Sequence, residues 1–195
     1  MLFYISFLLI FVACDSDSVP IEATSGQALV SYARGFKVFE FDTNYVIVIG
    51  ENRYSFSKNL KNSTYVLSGV TQLQFLKALN EDTSIIGLFD ANYFNDSSIF
   101  SRLAKSEMLN FKQANSPDWE LLVKHSGSIV LGYSSFNLDA VMVKNLNLTI
   151  LPINEFQENH PLGKAEWIKV FGVISGKFSL ADSIFRKIEE RYLAA

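Results

Sequence analysis

Three observations predict an α/β fold for this 195-residue chain. Strand-length apolar runs alternate with helically spaced ones between residues 65 and 151, an order that builds a parallel sheet with helices over both faces. Hydrophobic residues make up 49% of the chain and charged residues only 19%, so a packed core is expected and a solvated, disordered chain is not. A hairpin pattern precedes the alternation and a long helical stretch follows it, with no internal repeat or low-complexity tract between.

Composition also narrows function. Lys and Arg number 17 against 20 Asp and Glu, a net charge of −3. Nucleic-acid binding needs a basic face, so it is excluded. One cysteine builds no disulfide framework. Two histidines far apart, His125 and His160, do not specify a tetrahedral zinc site, and no resident metal or cofactor is expected.

The elements follow in order. Residues 1–13 are apolar and uncharged and end at Cys14. The run is too short to cross a bilayer, which takes about 20 residues, and it fits the apolar region of a secretory signal. F-V-A-C resembles a bacterial lipobox, with Phe11 in place of the usual aliphatic residue and no Lys or Arg upstream. The alternative is a buried N-terminal strand carrying an ordinary core cysteine. The lipobox reading makes residues 1–13 a signal peptide, Cys14 the lipidation site and 14–31 a tether, opening with the solvated D-S-D-S-V-P. Each buried lipid CH₂ is worth about 0.8 kcal/mol, so several acyl chains would hold the protein firmly to a membrane.

K-V-F-E-F-D-T-N-Y-V-I-V-I-G then holds two β-rich runs around Asp42-Thr43-Asn44, a hairpin. Tyr65-Val66-Leu67 is a short buried strand ending at Ser68-Gly69. Val70, Leu73, Leu76 and Leu79 fall on helical spacing after it. Ile85 to Phe89 forms a second strand of the alternation, and Pro117-Asp118-Trp119-Glu120 starts a short helix. Ser128 to Gly132 is a third strand, Phe136 to Lys144 a helix, and Leu148 to Leu151 a fourth strand. From Pro161 to Tyr192 the pattern stays helical apart from Gly172 and Gly176. Leu180, Ile184, Ile188 and Tyr192 step by four along it. That row must be covered by a further lobe or a partner, or else fold back onto the sheet. Lys164 and Glu166 read as surface charges, with Glu166 pairing to Lys169 for about 0.2–0.5 kcal/mol.

Two segments carry a resemblance. Y-A-R-G-F at 32–36 is close to the Y-A-K-G-F opening of certain envelope lipoproteins. P-L-G-K-A-E-W-I-K at 161–169 resembles the P-L-G-R-A-E-W-I-K segment of ABC-transporter substrate-binding proteins of the iron-siderophore and cobalamin type. The match is specific over residues 158–192 and follows element order from Tyr32 onward. The resemblance implies a single Rossmann-like N-terminal lobe over 32–160 and an interdomain helix over 161–195, with the second lobe absent. A lone lobe is expected to clamp a ligand weakly. The implied partners are an ABC permease, a metal chelate or corrinoid, and the membrane through the lipid anchor. The implied place is the bacterial cell envelope, facing the periplasm.

In such a sheet, ligands sit at the carboxyl ends of the strands. That places Ser68, Thr71, Asn92, Tyr93, Phe94, Tyr133, Ser134, Ser135 and Glu158 as ligand-binding candidates, polar and aromatic groups suited to orienting a large chelate. Each has a plainer role. Ser68 and Thr71 would cap the following helix, Tyr93 and Phe94 would anchor their loop, and Ser134 and Ser135 would shape a turn. Glu120 matches by position the glutamate that docks on a permease arginine in the resembled family. Its plainer role is a first-turn acid facing the helix dipole. His160 with Glu155 and Glu158 does not specify a metal site. No G-x-S-x-G, H-E-x-x-H, Walker A or G-x-G-x-x-G motif is present, so an enzyme is not expected. The expected function is substrate capture for an importer of iron-siderophore, haem or cobalamin-like chelates. The alternatives are a single-lobe interaction or sensory module and an inactive gene fragment.

Overall fold

The computed structural model describes residues 28–133, 145 and 149–195. The expected hairpin is there, and it gains a strand. β1 (Lys37–Glu40), β2 (Asn44–Ile49) and β3 (Asn52–Ser57) form an antiparallel sheet in that order. Gly50, at φ +58°, makes the tight β2–β3 turn where a side chain would be strained. β3 escapes a sequence reading because it is an edge strand whose residues are exposed or at most half-buried.

The second sheet is the parallel one. β4 (Tyr65–Leu67), β5 (Ile85–Leu88), β6 (Leu109–Asn110), β9 (Ile129–Gly132) and β10 (Thr149–Pro152) lie in the order β10-β9-β4-β5-β6, every pair parallel. Side chains alternate between faces, so β4 and β9 are buried on both. Tyr65, Leu67, Ile129 and Leu131 join the main core, while Val66 and Val130 join Phe89, Phe111 and Leu122 on the other side. Between strands run α1 (Val70–Ala78), α2 (Ser97–Ala104), a small hairpin of β7 (Lys112–Gln113) and β8 (Ser116–Pro117), and α3 (Trp119–Lys124). Asp96 caps α2 and Asp118 caps α3 through their carboxylates. The helix expected over Phe136–Lys144 lies outside the described residues.

The C-terminal stretch divides into three helices, α4 (Pro161–Glu166), α5 (Ile168–Ile174) and α6 (Phe178–Leu193). The break before α6 falls at Gly176, whose φ is +66° and whose missing Cβ would lie 2.4 Å from the Leu60 carbonyl oxygen. Gly172 does not break the chain. It lets α5 cross α6 closely, since a Cβ there would meet the Ala181 Cβ at 2.4 Å. α6 turns Ala181 and Phe185 inward, while Leu180, Ile188 and Tyr192 stay exposed and Ile184 is half-buried. Of the four-step row, Ile184 packs against the main core and the other three stay exposed.

Two buried carboxylates hold the two ends of the fold together. Glu166, completely buried, accepts hydrogen bonds from the backbone N–H groups of Ser31 (2.8 Å), Tyr32 (2.7 Å) and Ala33 (2.9 Å) and from Lys169 Nζ (2.9 Å). Glu158 accepts from the next two N–H groups, Arg34 (3.0 Å) and Gly35 (2.8 Å), and from Trp167 Nε1 (3.1 Å). The expectation that Glu166 is a surface charge is thus overturned. Its spacing to Lys169 mimics a solvated pair, but five consecutive amides need an acceptor and draw both acids inside. Lys169 is buried with it, donates to the Leu29 carbonyl at 2.8 Å and lies over the Phe185 ring at 4.6 Å.

Removing Glu166 leaves the N–H groups of Ser31, Tyr32 and Ala33 without their acceptor and leaves Lys169 only the longer pair with Asp182 at 3.4 Å. Glu166→Ala is expected to cost about 3–5 kcal/mol in urea unfolding, while Glu120→Ala, on an exposed helix face, leaves the midpoint unchanged.

Candidate ligand-binding site

β4 and β9 lie side by side, but the chain leaves β4 toward β5 and β9 toward β10, in opposite directions along the sheet. Their outgoing loops diverge and open a crevice beyond the carboxyl ends, where open α/β sheets bind ligands. Ser68, Gly69, Val70 and Thr71 come from one side, Tyr133 from the other, and the turn after β10 closes it with Glu155 and Phe156.

The Ser68 hydroxyl donates to the Leu131 carbonyl at 3.0 Å and its N–H to Leu131 O and to Gln72 Oε1, so Ser68 ties β4 to β9 rather than facing a ligand. Neither Ser68 nor Thr71 caps α1. Gln72 does, taking the N–H groups of Ser68 (3.0 Å) and Gly69 (3.1 Å) on Oε1. Gly69 is obligatory for another reason: a Cβ there would fall 2.0 Å from the Tyr133 hydroxyl, which packs directly over the turn.

Thr71 is exposed on the first turn of α1, and its hydroxyl favours the charged forms of Tyr133 and Glu155. Burial pushes the Tyr133 hydroxyl above its ordinary range, with the Glu155 charge adding to this and Thr71 opposing it. Burial also raises the Glu155 carboxyl, against its own backbone N–H, the Thr71 hydroxyl and the Lys164 charge. Glu155 is 5% exposed, and its Oε2 has no hydrogen-bond partner; the same holds for Nε2 of the fully buried Gln72. Unsatisfied buried polar atoms each cost about 1–3 kcal/mol, and both lie on the elements that frame the crevice. Phe156, 54% exposed, meets Tyr133 edge-on at 5.5 Å, and Val70 at the start of α1 is also open to solvent.

The structure sorts the other candidates. Asn92 and Tyr93 are exposed on the turn after β5, on the same carboxyl edge. Phe94, 1% exposed, anchors that turn in the core and presents no ring to a ligand. Glu158 is withdrawn from the ligand set, because its carboxylate is taken up by Arg34, Gly35 and Trp167. The acid at the crevice is Glu155, three residues nearer the end of β10, and Gln72, on α1, is the residue that sequence reasoning passed over. Ser134, Ser135 and Cys14 lie outside the described residues. Glu120 is exposed on α3, where among the described residues it pairs with Lys124 at 2.8 Å. His160 caps α4, accepting from the Leu162 N–H at 3.1 Å, and stacks on Tyr32 at 5.4 Å. His125 packs edge-on against Phe111. Among the described residues no group of three His, Cys, Asp or Glu is placed to hold a metal.

These features define a class: one lobe of the periplasmic binding protein fold, with its crevice at the switch point of a parallel sheet. Among solved structures, the chain is similar to the periplasmic heme binding protein HutB of Vibrio cholerae, at a TM-score of 0.53 and 12% identity over 69% of this chain and 49% of that one. It is also similar to the triscatecholate siderophore binding protein FeuA of Bacillus subtilis, at a TM-score of 0.51 and 11% identity over 75% and 48%. In sequence it is 26% identical over 145 residues to an uncharacterized lipoprotein, MJ0878, of Methanocaldococcus jannaschii, covering 69% of this chain and 34% of the relative. The chain thus spans about half the length of these solved structures and about a third of that relative. No family model matches it.

Because the Glu155 carboxyl holds its proton more tightly in the folded chain, its contribution to stability is complete below the unfolded value of 4.5 and is lost as pH rises through the folded one. Glu155→Gln is therefore expected to unfold at higher urea than the wild type above neutral pH, the gap closing below about pH 4. A gap independent of pH would show that Glu155 is not held against its charge.

Proposed function

We propose that this chain is the N-terminal ligand-capturing lobe of a substrate-binding lipoprotein that delivers a metal chelate or corrinoid to an ABC importer. The observation that carries the reading is the sheet's switch point between β4 and β9, where Gln72 Nε2 and Glu155 Oε2 are buried without a hydrogen-bond partner and Val70 and Phe156 are exposed. The likeness of the fold to haem- and siderophore-binding proteins supports the same class of ligand. Capture requires no covalent step. Val70, Tyr93 and Phe156 receive an apolar ligand face, and Thr71, Tyr133 and Glu155 orient it. The exposed row of Leu180, Ile188 and Tyr192 on α6 is the face on which a second lobe or a partner would pack. Lipid on Cys14 would hold the lobe at the envelope surface, facing the periplasm.

Docking would fall to Glu120. Its side chain is 82% exposed and, among the described residues, is held by Lys124 on the next turn. A guanidinium on the permease takes a carboxylate bidentately, a geometry that a lysine one turn away does not match.

Calorimetric titration of the full chain with a ferric siderophore, haemin and a cobalamin is expected to give saturable binding of at least one, weakened about tenfold or more by Tyr133→Ala. Failure of all three sinks the reading. Glu120→Arg is expected to leave that binding intact and to abolish co-purification with the cognate permease; retained co-purification would move docking elsewhere.

A further inference from the structure

The turn between β3 and β4 carries a pattern that ligand capture does not use. Asn62-Ser63-Thr64 places a hydroxyl two residues after an asparagine carboxamide, the N-x-[ST] spacing of an N-glycan acceptor. Three such triplets occur in the chain, and Asn147 of the third lies outside the described residues. Asn62 and Asn95 are both exposed, but their surroundings differ. Asn62 sits in a left-handed turn at φ 59°, with exposed Lys61 before it. Such a turn alone can account for an asparagine, as at Asn80 (φ 55°), yet Asn80 is followed by Glu81-Asp82 and no hydroxyl completes a triplet there. The Thr64 hydroxyl lies 2.7 Å from that of Ser128, 64 positions on, so it lacks this partner until Ser128 has been made. The turn leads into β4 and therefore lies at the amino edge of the parallel sheet, opposite the crevice. A bulky hydrophilic group at Asn62 would leave the ligand's path open. Asn95 follows β5 on the carboxyl edge, and the middle residue of its triplet, Asp96, is the charged cap of α2.

We propose that Asn62 is an N-glycan acceptor and that Asn95 is not. The inference rests on the envelope location proposed above, because the sugar donor, a lipid-diphosphate-linked oligosaccharide, and its transferase act outside the cytoplasm. In the transfer, Asn62 Nδ2 forms a bond to C1 of the first sugar and the C1–O bond to the diphosphate breaks. The Nδ2 proton passes to a basic group of the transferase, and the lipid diphosphate leaves with the electron pair. The donor's charge separates the two exposed acceptors. Lys61 beside Asn62 attracts a diphosphate, whereas Asp96 beside Asn95 repels it.

The test is peptide mass mapping of the protein purified from the cells that make it, beside Asn62→Asp and Thr64→Ser variants produced in the same cells. Asp tolerates the left-handed backbone at position 62 and offers no amide nitrogen, so Asn62→Asp should fold without an acceptor. Thr64→Ser keeps the hydroxyl that meets Ser128. The expected result is a glycan mass increment on the peptide carrying Asn62 and none on the peptide carrying Asn95. The increment should be lost in Asn62→Asp and kept in Thr64→Ser. Unmodified Asn62 in exported chains overturns the inference and leaves the envelope location standing. A glycan on Asn95 overturns it as well, since the charge beside the acceptor would then not discriminate. Unmodified Asn62 in chains that remain in the cytoplasm overturns both the inference and the envelope location.

Discussion

Five consecutive backbone N–H groups, from Ser31 to Gly35, end on two carboxylates more than 120 positions away. The rest of the structure depends on this. Burying a carboxylate is costly unless its oxygens are filled, and here each is filled by amides, with Lys169 or the Trp167 indole completing the set. The arrangement also sets distances. Gly35 and Gly163 lack side chains where a Cβ would come within 3.1–3.2 Å of the Glu158 carboxylate, so the N-terminal segment and α4 close on it from both sides. With Glu158 fixed this way, the turn that begins at Glu155 is pinned three residues upstream, and Glu155 and Phe156 are held at the crevice instead of swinging free.

Much of the scaffold was legible because it depends on local pattern. The β-branched runs at 65–67, 85–88 and 129–132 are buried on both faces and therefore read as continuous apolar stretches. α1 and α3 announce themselves by spacing and by Asp118. Short or exposed pieces did not. β3 alternates polar residues with half-buried aromatics, and β6, β7 and β8 are two residues each, too brief for any period to register. α2 opens within Asn95-Asp96-Ser97-Ser98, which reads equally as a loop or a cap until Asp96 is seen to accept from Ser98 and Ile99.

The site divides along the same line. That ligand chemistry belongs at the loops after β4, β5, β9 and β10 follows from element order. Which acid faces the crevice does not, because Glu155 and Glu158 differ only in long-range partners. The two segments carrying the family resemblance, 32–36 and 158–169, look unrelated in the sequence. In the fold they are the two halves of one hydrogen-bonded unit.

That unit also fixes an order of assembly. Its acceptors lie at positions 158 and 166 and its donors at 31–35, so a chain emerging from its N-terminus has nothing to receive those amides until residues 158–166 have been made. Contacts of such separation close late, after the loop entropy between them has been met. The first sheet and the segment before it thus stay undocked over the synthesis of more than 120 residues, and the chain remains extensible until the helices from Pro161 onward arrive to close it.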